Sequence, residues 1–220
     1  MEIYSLNEIN ISYLLNLYIQ SWSYQVSIIW NLPRSLLLMP EYTDNELVEL
    51  FRDANKKHYA FNLLVRKYQE KIYYFVRRMV IDHDDSDDVV QNIFIKVWNN
   101  LGSFREDSKL FTWLYRIAVN ESLSFIKSKQ LRSYLSLSSP EAMMVKSLHD
   151  DNFFNGPEIQ RRLSEAIIRL PKKQQLVFNM RYYDDLSYDE MSEILGTSVG
   201  ALKASYHFAV KKIEDFVTAV

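Results

Sequence analysis

The sequence predicts an all-α protein made of two small helical domains joined by a flexible linker. The 220 residues include only four Gly and five Pro, whereas average proteins contain about 7% Gly and about 5% Pro. All-β folds need many tight turns, and tight turns depend on these two residues. Apolar residues also recur every three or four positions over long stretches, which is typical of amphipathic helices.

Composition narrows the classes of function. There are 26 Lys and Arg against 28 Asp and Glu, and the net charge is −2. This balance excludes a histone-like basic protein and an acidic disordered tail, so any nucleic-acid site has to be a local basic patch. The chain has no Cys, which excludes disulfides, thiol catalysis and thiolate metal sites and favours a cytoplasmic location.

The first 38 residues differ in character from the rest. They carry only three charged residues, and the charge density rises abruptly after Met39. We therefore expect Met39 to be the natural start and 1–38 to be an upstream extension; the alternative is an amphipathic helix that packs on the body or on a partner. No apolar run approaches the roughly 18 residues of a membrane span, and no basic front or cleavage site indicates a secretory signal.

The first domain is predicted over 39–132. Thr43 and Glu46 have the spacing of a capping box, which begins a short helix. A long amphipathic helix follows, and the acidic run 82–88 begins the next one, where negative charge meets the positive end of the helix dipole. A further helix is expected over Leu110–Lys129.

The segment Val89–Trp98 is too apolar for a helix that buries a single face. It is expected to pack on two sides, either within the domain or between the domain and a partner.

A linker is predicted over 133–157, where Ser, Pro, Asn and Gly are frequent, with a short helix near 142–148. The second domain is predicted over 158–220. Within it, Ser187 and Glu190 form a second capping box, Gly196 ends that helix, and Thr197 or Ser198 caps the next. Two short helices joined by a tight turn form a helix-turn-helix.

The last helix carries a local basic face. The window from Gly200 to Lys212 contains no acidic residue, and its outer positions carry Lys, Ser and His side chains that can contact phosphate or base edges. The alternative is an amphipathic surface helix with a solvated basic face. Aromatic residues interleaved with Arg over 104–116 can stack on unpaired bases, but at helical spacing they are more often core residues.

Two acidic clusters suggest an alternative, enzymatic function. Asp84, Asp85 and Asp88 match the pattern of a site for Mg²⁺ and diphosphate, and Asp184, Asp185 and Asp189 look similar. Both clusters lie at helix starts, where acidic residues are expected in any case. We therefore predict no catalytic residue, no metal site and no cofactor.

Two groups of motifs carry a resemblance to a known family. The first group is Phe61–Gln69, Asp88–Trp98, Phe104–Ser108 and Phe111–Asn120, and the second is Leu170–Pro171, Tyr188–Gly196 and Val199–Lys203. The first group resembles region two, and the second resembles region four, of bacterial RNA polymerase sigma factors of the sigma-70 family, in the extracytoplasmic-function (ECF) subfamily. Several motifs in the right order make the resemblance specific, and together they extend over about 42–216.

The resemblance implies a transcription initiation factor with three surfaces. The surface that docks on the polymerase clamp helices would use Asp88, Gln91, Asn92, Ile95 and Trp98. The surface that captures the melted non-template strand at the minus-ten element would use Phe104, Arg105, Ser108, Lys109, Arg116, Asn120 and Lys127. The surface for the minus-thirty-five duplex would use Thr197, Ser198, Lys203, Ser205, Tyr206, His207, Lys211 and Lys212.

The implied partners are core RNA polymerase (its largest-subunit clamp helices and its flap) and promoter DNA, with an anti-sigma factor as a further candidate. One departure concerns the recognition helix, where Ser205, Phe208 and Val210 stand in place of the Arg residues usual in the family. Arg is the stronger reader of guanine, so the expectation is either weaker binding of the upstream element or a different sequence read by Tyr206 and His207. A third alternative is that this helix is a surface for a regulator. The alternative function is a helix-turn-helix regulator that binds DNA without polymerase.

Overall fold

The computed structural model describes residues 42–133, 144–148, 151, 154 and 158–218. Over these ranges the chain forms helices and short turns, and no strand is present. The all-α prediction is therefore confirmed. The predictions about Met39 and the segment 1–38 lie outside the described residues.

The described part of the first domain forms four helices. They are α1 (Asp44–Arg52), α2 (Lys57–Val80), α3 (His83–Asn100) and α4 (Leu110–Ser133), with a 3₁₀ turn at Leu101–Ser103 after α3. The predicted capping box begins α1, because the Thr43 hydroxyl accepts a hydrogen bond from the Glu46 N–H at 3.3 Å. In return, the Glu46 carboxylate accepts one from the Thr43 N–H at 2.7 Å.

Helix α3 is buried on two sides by its own chain. The side chains of Val89, Val90, Ile93, Phe94 and Val97 are each at most 6% exposed, and α3 lies against both α2 and α4. Of the two alternatives that its apolar sequence left open, the intramolecular one is therefore observed. Asp82 caps the helix by accepting from the Asp85 N–H at 3.0 Å.

The second domain contains a helix-turn-helix, as predicted. Its helices are α5 (Glu158–Ile168), α6 (Lys172–Tyr182), α7 (Tyr188–Leu195) and α8 (Val199–Thr218). The capping box of Ser187 and Glu190 begins α7, and Gly196 ends it in a left-handed conformation with φ 62° and ψ 31°. The Ser198 hydroxyl accepts from the Ala201 N–H at 3.4 Å, so Ser198 caps α8.

The described part of the linker packs against both domains. Residues 144–148 form a short helix, as predicted. Its fully buried Leu148 lies in one apolar cluster with Ile81 from the first domain and Ile168 from the second. Asp151 forms an ion pair with Arg77, which is only 1% exposed. In its described part, the linker thus contacts both domains, and its flexibility stays a prediction.

The two domains pack together. Met180, Met191 and Ile194 of the second domain belong to the same hydrophobic cluster as Leu114 and Met79 of the first. Helix α7 lies along α4, and α6 lies against α2.

Within the described ranges, no helix is both long enough and apolar enough to cross a membrane.

Candidate functional site

Helix α3 presents a mostly polar outer face. Asp88 and Asn92 are exposed, while Gln91 and Ile95 are half-buried beside them. Positions spaced by three, four and seven residues share one face of a helix, so these four residues form a continuous strip, here called the α3 face. Its chemistry suits a protein partner that offers both polar groups and a small apolar contact.

Trp98, predicted to lie on the same surface, is half-buried and also packs within the domain. Its ring makes edge contacts with Phe51 and Phe61, at centroid distances of 5.3 Å and 5.0 Å. The Lys57 ammonium lies 4.6 Å from the ring centroid, within the range of a cation–π interaction. Trp98 thus joins α1, α2 and α3, and, half-buried like Ile95, it stays partly accessible beside the α3 face.

Helix α4 carries a second candidate surface. Arg116, Asn120 and Lys127 are exposed, and their spacing of four and seven residues places them on one side of the helix. This set is called the α4 face. The loop before the helix adds the exposed Arg105 and Lys109, so the surface combines cations for phosphates with an amide that can read a base edge.

The loop also contains Ser108 and Phe104, both predicted to line the same surface. Ser108 is half-buried. Phe104 is only 7% exposed, and its ring lies 5.3 Å from that of Trp113. The Arg52 guanidinium donates to the Phe104 carbonyl at 2.9 Å. Both aromatic rings are thus packed on each other, and in this conformation Phe104 offers no open face on which a base could stack.

Helix α7 covers part of the α4 surface. The Arg116 guanidinium donates to the Glu193 carbonyl oxygen at 2.6 Å, and the Lys109 ammonium lies 3.6 Å from the Glu190 carboxylate. These partners belong to the first helix of the helix-turn-helix. Two cations predicted to contact nucleic acid are therefore engaged by the second domain.

A buried polar cluster fixes the same interface. The Asp184 carboxylate accepts hydrogen bonds from the Arg78 guanidinium and from the Tyr115 hydroxyl. The side chains of Arg78 and Asp184 are each 14% exposed, and Tyr115 is 1% exposed. We call these three residues the interdomain cluster. The Arg78 guanidinium also lies 4.9 Å from the ring centroid of Tyr183.

Burial dominates the electrostatics of this cluster. Loss of water raises the pKa of Asp184, and the Arg78 charge and the Tyr115 hydroxyl oppose that rise. Burial likewise raises the pKa of Tyr115, and the nearby Asp184 charge raises it further. Tyr115 consequently remains neutral at physiological pH and donates its proton to the carboxylate.

The acidic residues that resembled a Mg²⁺ site have other partners. Asp85 forms an ion pair with Lys129, Asp184 belongs to the interdomain cluster, and Asp185 pairs with Arg181. Among the described residues, no group of three or more His, Cys, Asp or Glu side chains is arranged to hold a metal ion. Structural roles therefore account for these three carboxylates.

Helix α8 exposes the predicted basic face. Lys203, His207, Lys211 and Lys212 are exposed. Ser205 and Tyr206 are half-buried, and so is Thr197 in the turn before the helix. The Tyr206 ring stacks on Phe178 at 5.7 Å, with 11° between their planes. Tyr206 is therefore held in the domain, while the four basic side chains face outwards.

Comparison with known proteins agrees with this architecture. The family described as Sigma-70 region 2 matches residues 64–132, and the family described as Sigma-70, region 4 matches residues 160–213. The ECF RNA polymerase sigma-E factor of Haemophilus influenzae is 33% identical over 183 residues, which span 80% of this chain and 95% of that protein. The chain belongs to the ECF group of the sigma-70 family.

Other relatives support the same assignment. The ECF RNA polymerase sigma-E factor of Escherichia coli K12 is 34% identical over 192 residues, covering 80% of this chain and 95% of the relative. The fold resembles CnrH, solved in complex with the cytosolic domain of CnrY, with a TM-score of 0.58 at 22% identity, covering 80% of this chain and 97% of that one.

The fold of this chain also resembles that of RpoE of Bartonella quintana, solved with the anti-sigma factor NepR, with a TM-score of 0.54 at 19% identity. That match covers 72% of this chain and 97% of the other.

The two sigma regions divide the candidate surfaces between them. The region 2 match contains the α3 face and the α4 face, while the region 4 match contains the basic face of α8. The interdomain cluster joins the two regions, since Arg78 and Tyr115 lie in region 2 and Asp184 lies in region 4. Sequence reasoning did not identify this cluster, because its members are separated by up to 106 positions.

Proposed function

We propose that this sigma factor acts by dividing transcription initiation between its two domains. The first domain binds core RNA polymerase and the melted promoter strand, and the second holds the upstream duplex. The observation that carries this proposal is the presence of both sigma regions in order, in a chain that spans 95% of the sigma-E factors it matches.

The α3 face is the proposed contact with core polymerase. It is the exposed strip of a helix whose remaining sides are buried in the domain, so it can bind a partner without unfolding. Asp88→Lys reverses an exposed charge in this strip and is expected to weaken co-purification with core polymerase at least tenfold. Glu70→Lys, at an exposed position of α2, is the matched charge control and is expected to bind as the wild type does.

The α4 face is the proposed contact with the unpaired strand of the minus-ten element. Asn120 supplies an exposed amide with both donor and acceptor groups. The cations on either side of it, Arg116 and Lys127, can neutralise the phosphates of the strand. Arg105, Ser108 and Lys109 extend the surface along the preceding loop. Phe104 supports that loop from the core.

Energetics make core polymerase an obligatory partner. Opening about ten base steps costs on the order of 14 kcal/mol, at about 1.4 kcal/mol per step. Stacking of two captured bases returns only about 2–6 kcal/mol. The free chain is therefore expected not to melt a promoter, whereas the complex with core polymerase does.

The basic face of α8 is the proposed contact with the minus-thirty-five duplex. Lys203, Lys211 and Lys212 approach the phosphates, and His207 faces the groove. Thr197 and Ser198 lie at the N-terminus of α8, where hydroxyl and backbone N–H groups can contact a phosphate. Ser205 borders this surface, while Tyr206 positions the helix through its stacking on Phe178.

We propose that a rearrangement of the packed domains accompanies binding of the promoter strand. Arg116 is bonded to the Glu193 carbonyl and Lys109 lies beside Glu190, so movement of α7 away from α4 would release both cations for contact with DNA. We infer that the packed form is the state of the free protein and that core polymerase binds the separated form.

An anti-sigma factor is a further proposed partner. One solved structural neighbour is described as a sigma factor in complex with the anti-sigma factor NepR, and another as CnrH with the cytosolic domain of CnrY. A partner of this kind would act on the exposed surfaces described above. We propose no enzymatic activity, and a cytoplasmic location where RNA polymerase works.

Run-off transcription with purified core polymerase tests the function. A promoter library is transcribed with and without the chain, and the expected result is a discrete set of transcripts that depend on both proteins. A stand-alone helix-turn-helix regulator would instead bind duplex DNA tightly without polymerase and would fail to co-purify with it. That outcome would contradict the proposal.

A further inference from the structure

The recognition helix α8 carries an exposed apolar strip that its basic residues do not explain. The Phe208 side chain is 55% exposed, although it is a large aromatic group. Ala201 and Ala204, seven and four residues earlier, are exposed as well. Positions separated by four and seven residues share one side of a helix, so the three side chains form a single strip, here called the apolar strip.

The strip lies within a positively charged surrounding. Lys203, Lys211 and Lys212 are exposed around it, and the helix contains no acidic residue before Glu214. Two copies of this face would bring six lysines together, which opposes self-association. A polyanion matches the charge, and duplex DNA additionally offers apolar groups in its major groove, namely the 5-methyl groups of thymine.

Dimensions agree with that ligand. At a rise of about 1.5 Å per residue, Ala201 and Phe208 are separated by about 10 Å along the helix axis. This length corresponds to about three base pairs at about 3.4 Å each. Small side chains at Ala201 and Ala204 allow close approach of the helix, and the Phe208 ring can then contact a methyl group deeper along the groove.

We propose that Phe208 determines specificity by packing against thymine methyl groups in the upstream duplex, with Ala201 and Ala204 admitting the helix to the groove. This inference rests on the proposed function of α8. Helix α8 contains no Arg, the residue that most often reads guanine. The apolar strip therefore favours A·T pairs at the positions it faces, and Lys203 retains a donor for a neighbouring guanine.

The test uses the complex of the full chain with core polymerase. Promoter fragments randomised over the upstream block are selected for binding, and each selected thymine is then replaced by deoxyuridine, which removes only the methyl group. For the wild type we expect enrichment of thymine and about fourfold weaker binding per essential methyl removed, as its transfer free energy of about 0.8 kcal/mol implies. Phe208→Ala should bind thymine and deoxyuridine fragments equally.

Tyr182→Ala is the control, since Tyr182 is 54% exposed in the same domain but lies on α6. It is expected to keep the wild-type preference for thymine. The inference is overturned if the selected sequences show no thymine preference, or if deoxyuridine weakens Phe208→Ala as much as the wild type. It is also overturned if Phe208→Ala changes only the self-association of the chain.

The outcomes separate this inference from the proposed function. A wild-type complex that selects an upstream sequence but ignores the methyl groups refutes only the role of Phe208. A wild-type complex that transcribes but selects no upstream sequence refutes the duplex contact of α8 as well.

Discussion

Asp184 shows how a single side chain can join two domains. Its carboxylate is bonded to Arg78 and Tyr115 across the interface, and all three side chains are mostly buried. Removing one partner of a buried ion pair leaves the other charge without compensation, which typically costs about 3–5 kcal/mol. The next residue, Asp185, has a side chain that is 94% exposed and pairs with Arg181 at 3.4 Å, and such surface pairs contribute only about 0–1 kcal/mol.

The adjacent acids give a matched pair of variants. Asp184→Asn is expected to destabilise the packed form by roughly 3 kcal/mol or more, because Arg78 then remains buried beside a neutral group. Asp185→Asn should change the stability of the packed form by less than about 1 kcal/mol. Small-angle X-ray scattering reports the packing directly, through a larger radius of gyration for Asp184→Asn alone. Equal radii for both variants and the wild type would show that the interdomain cluster does not hold the domains together.

The two glycines of the helix-turn-helix offer a second comparison between residues. An added Cβ would meet open space at both Gly196 and Gly200, but only Gly196 has a positive φ, of 62°. Gly196→Ala is expected to cost about 1–2 kcal/mol because the left-handed conformation is unfavourable for Ala. Gly200→Ala, inside α8, should stabilise by about 0.5–1 kcal/mol. Urea unfolding measures the change in the free energy of unfolding for each variant, and the two changes are expected to have opposite signs. A loss of stability in both variants would contradict this explanation of the turn.

Helix α7 depends on a titratable cap. Hydrogen bonds from the Ser187 N–H and hydroxyl lower the pKa of Glu190, and the charge of Lys109 lowers it further. Because the folded pKa lies below the unfolded one, the carboxylate contributes stability above the unfolded pKa, and this contribution is lost as the pH falls through the folded pKa. The start of α7 is therefore strongest near neutral pH.

This pH dependence can be isolated with Glu190→Gln, which retains an acceptor but does not titrate. Between pH 6 and pH 3 the wild type should lose more stability than the variant, and the difference should appear below about pH 4.3, the ordinary pKa of Glu. Urea unfolding at several pH values measures this difference. Glu46 forms the same kind of cap on α1 and is present in both proteins. Its contribution therefore cancels when the pH profiles of the wild type and the variant are compared. Parallel pH profiles would contradict the assigned role of Glu190.

At the scale of helices, local signals predicted most of the structure. Thr43 with Glu46 and Ser187 with Glu190 were predicted as capping boxes from spacing alone, and Gly196 as the end of α7, because these signals act within one helical turn. The apolar sequence of α3 predicted burial on two sides but left the partner open. Periodicity records which side chains are apolar and carries no information about what covers them.

Individual side chains at the candidate site were harder to predict. Trp98 was expected to extend the docking surface, and it packs on Phe51 while remaining half-buried. Phe104 was expected to line the strand pocket and instead packs in the first domain. Aromatic residues are used for both purposes, so sequence cannot separate them. Four of the predicted contact residues are exposed, as their proposed roles require: Asp88, Asn92, Arg116 and Asn120.

For the whole molecule, the packing of the two domains is the feature that sequence did not predict. The contacts involve Arg78 with Asp184 and Arg116 with Glu193, which are 106 and 77 positions apart. Each side chain alone resembles an ordinary surface charge or part of an acidic cluster. Contacts at such separation depend on the assembled fold, whereas capping and periodicity depend on neighbours in sequence.

Separation of the domains can be followed by fluorescence energy transfer. The chain has no native Cys, so Ser128→Cys in α4 and Lys173→Cys in α6, both at exposed positions, allow specific labelling. High transfer is expected for the free chain, and a marked decrease on addition of core polymerase. Asp184→Asn should lower the transfer even without polymerase. Unchanged transfer on complex formation would contradict the proposed rearrangement.

The most direct test of the whole account is promoter melting, followed by the fluorescence of 2-aminopurine placed at the minus-ten position of the non-template strand. With wild-type chain and core polymerase together, we expect a large increase in fluorescence, and with either protein alone, none. With Asn120→Ala the apparent affinity measured from this increase should fall by roughly 5- to 160-fold, as expected for the loss of about 1–3 kcal/mol of base contacts. Ser128→Ala, on the same helix, should behave as wild type. Melting by the chain without polymerase, or wild-type melting by Asn120→Ala, would contradict the account.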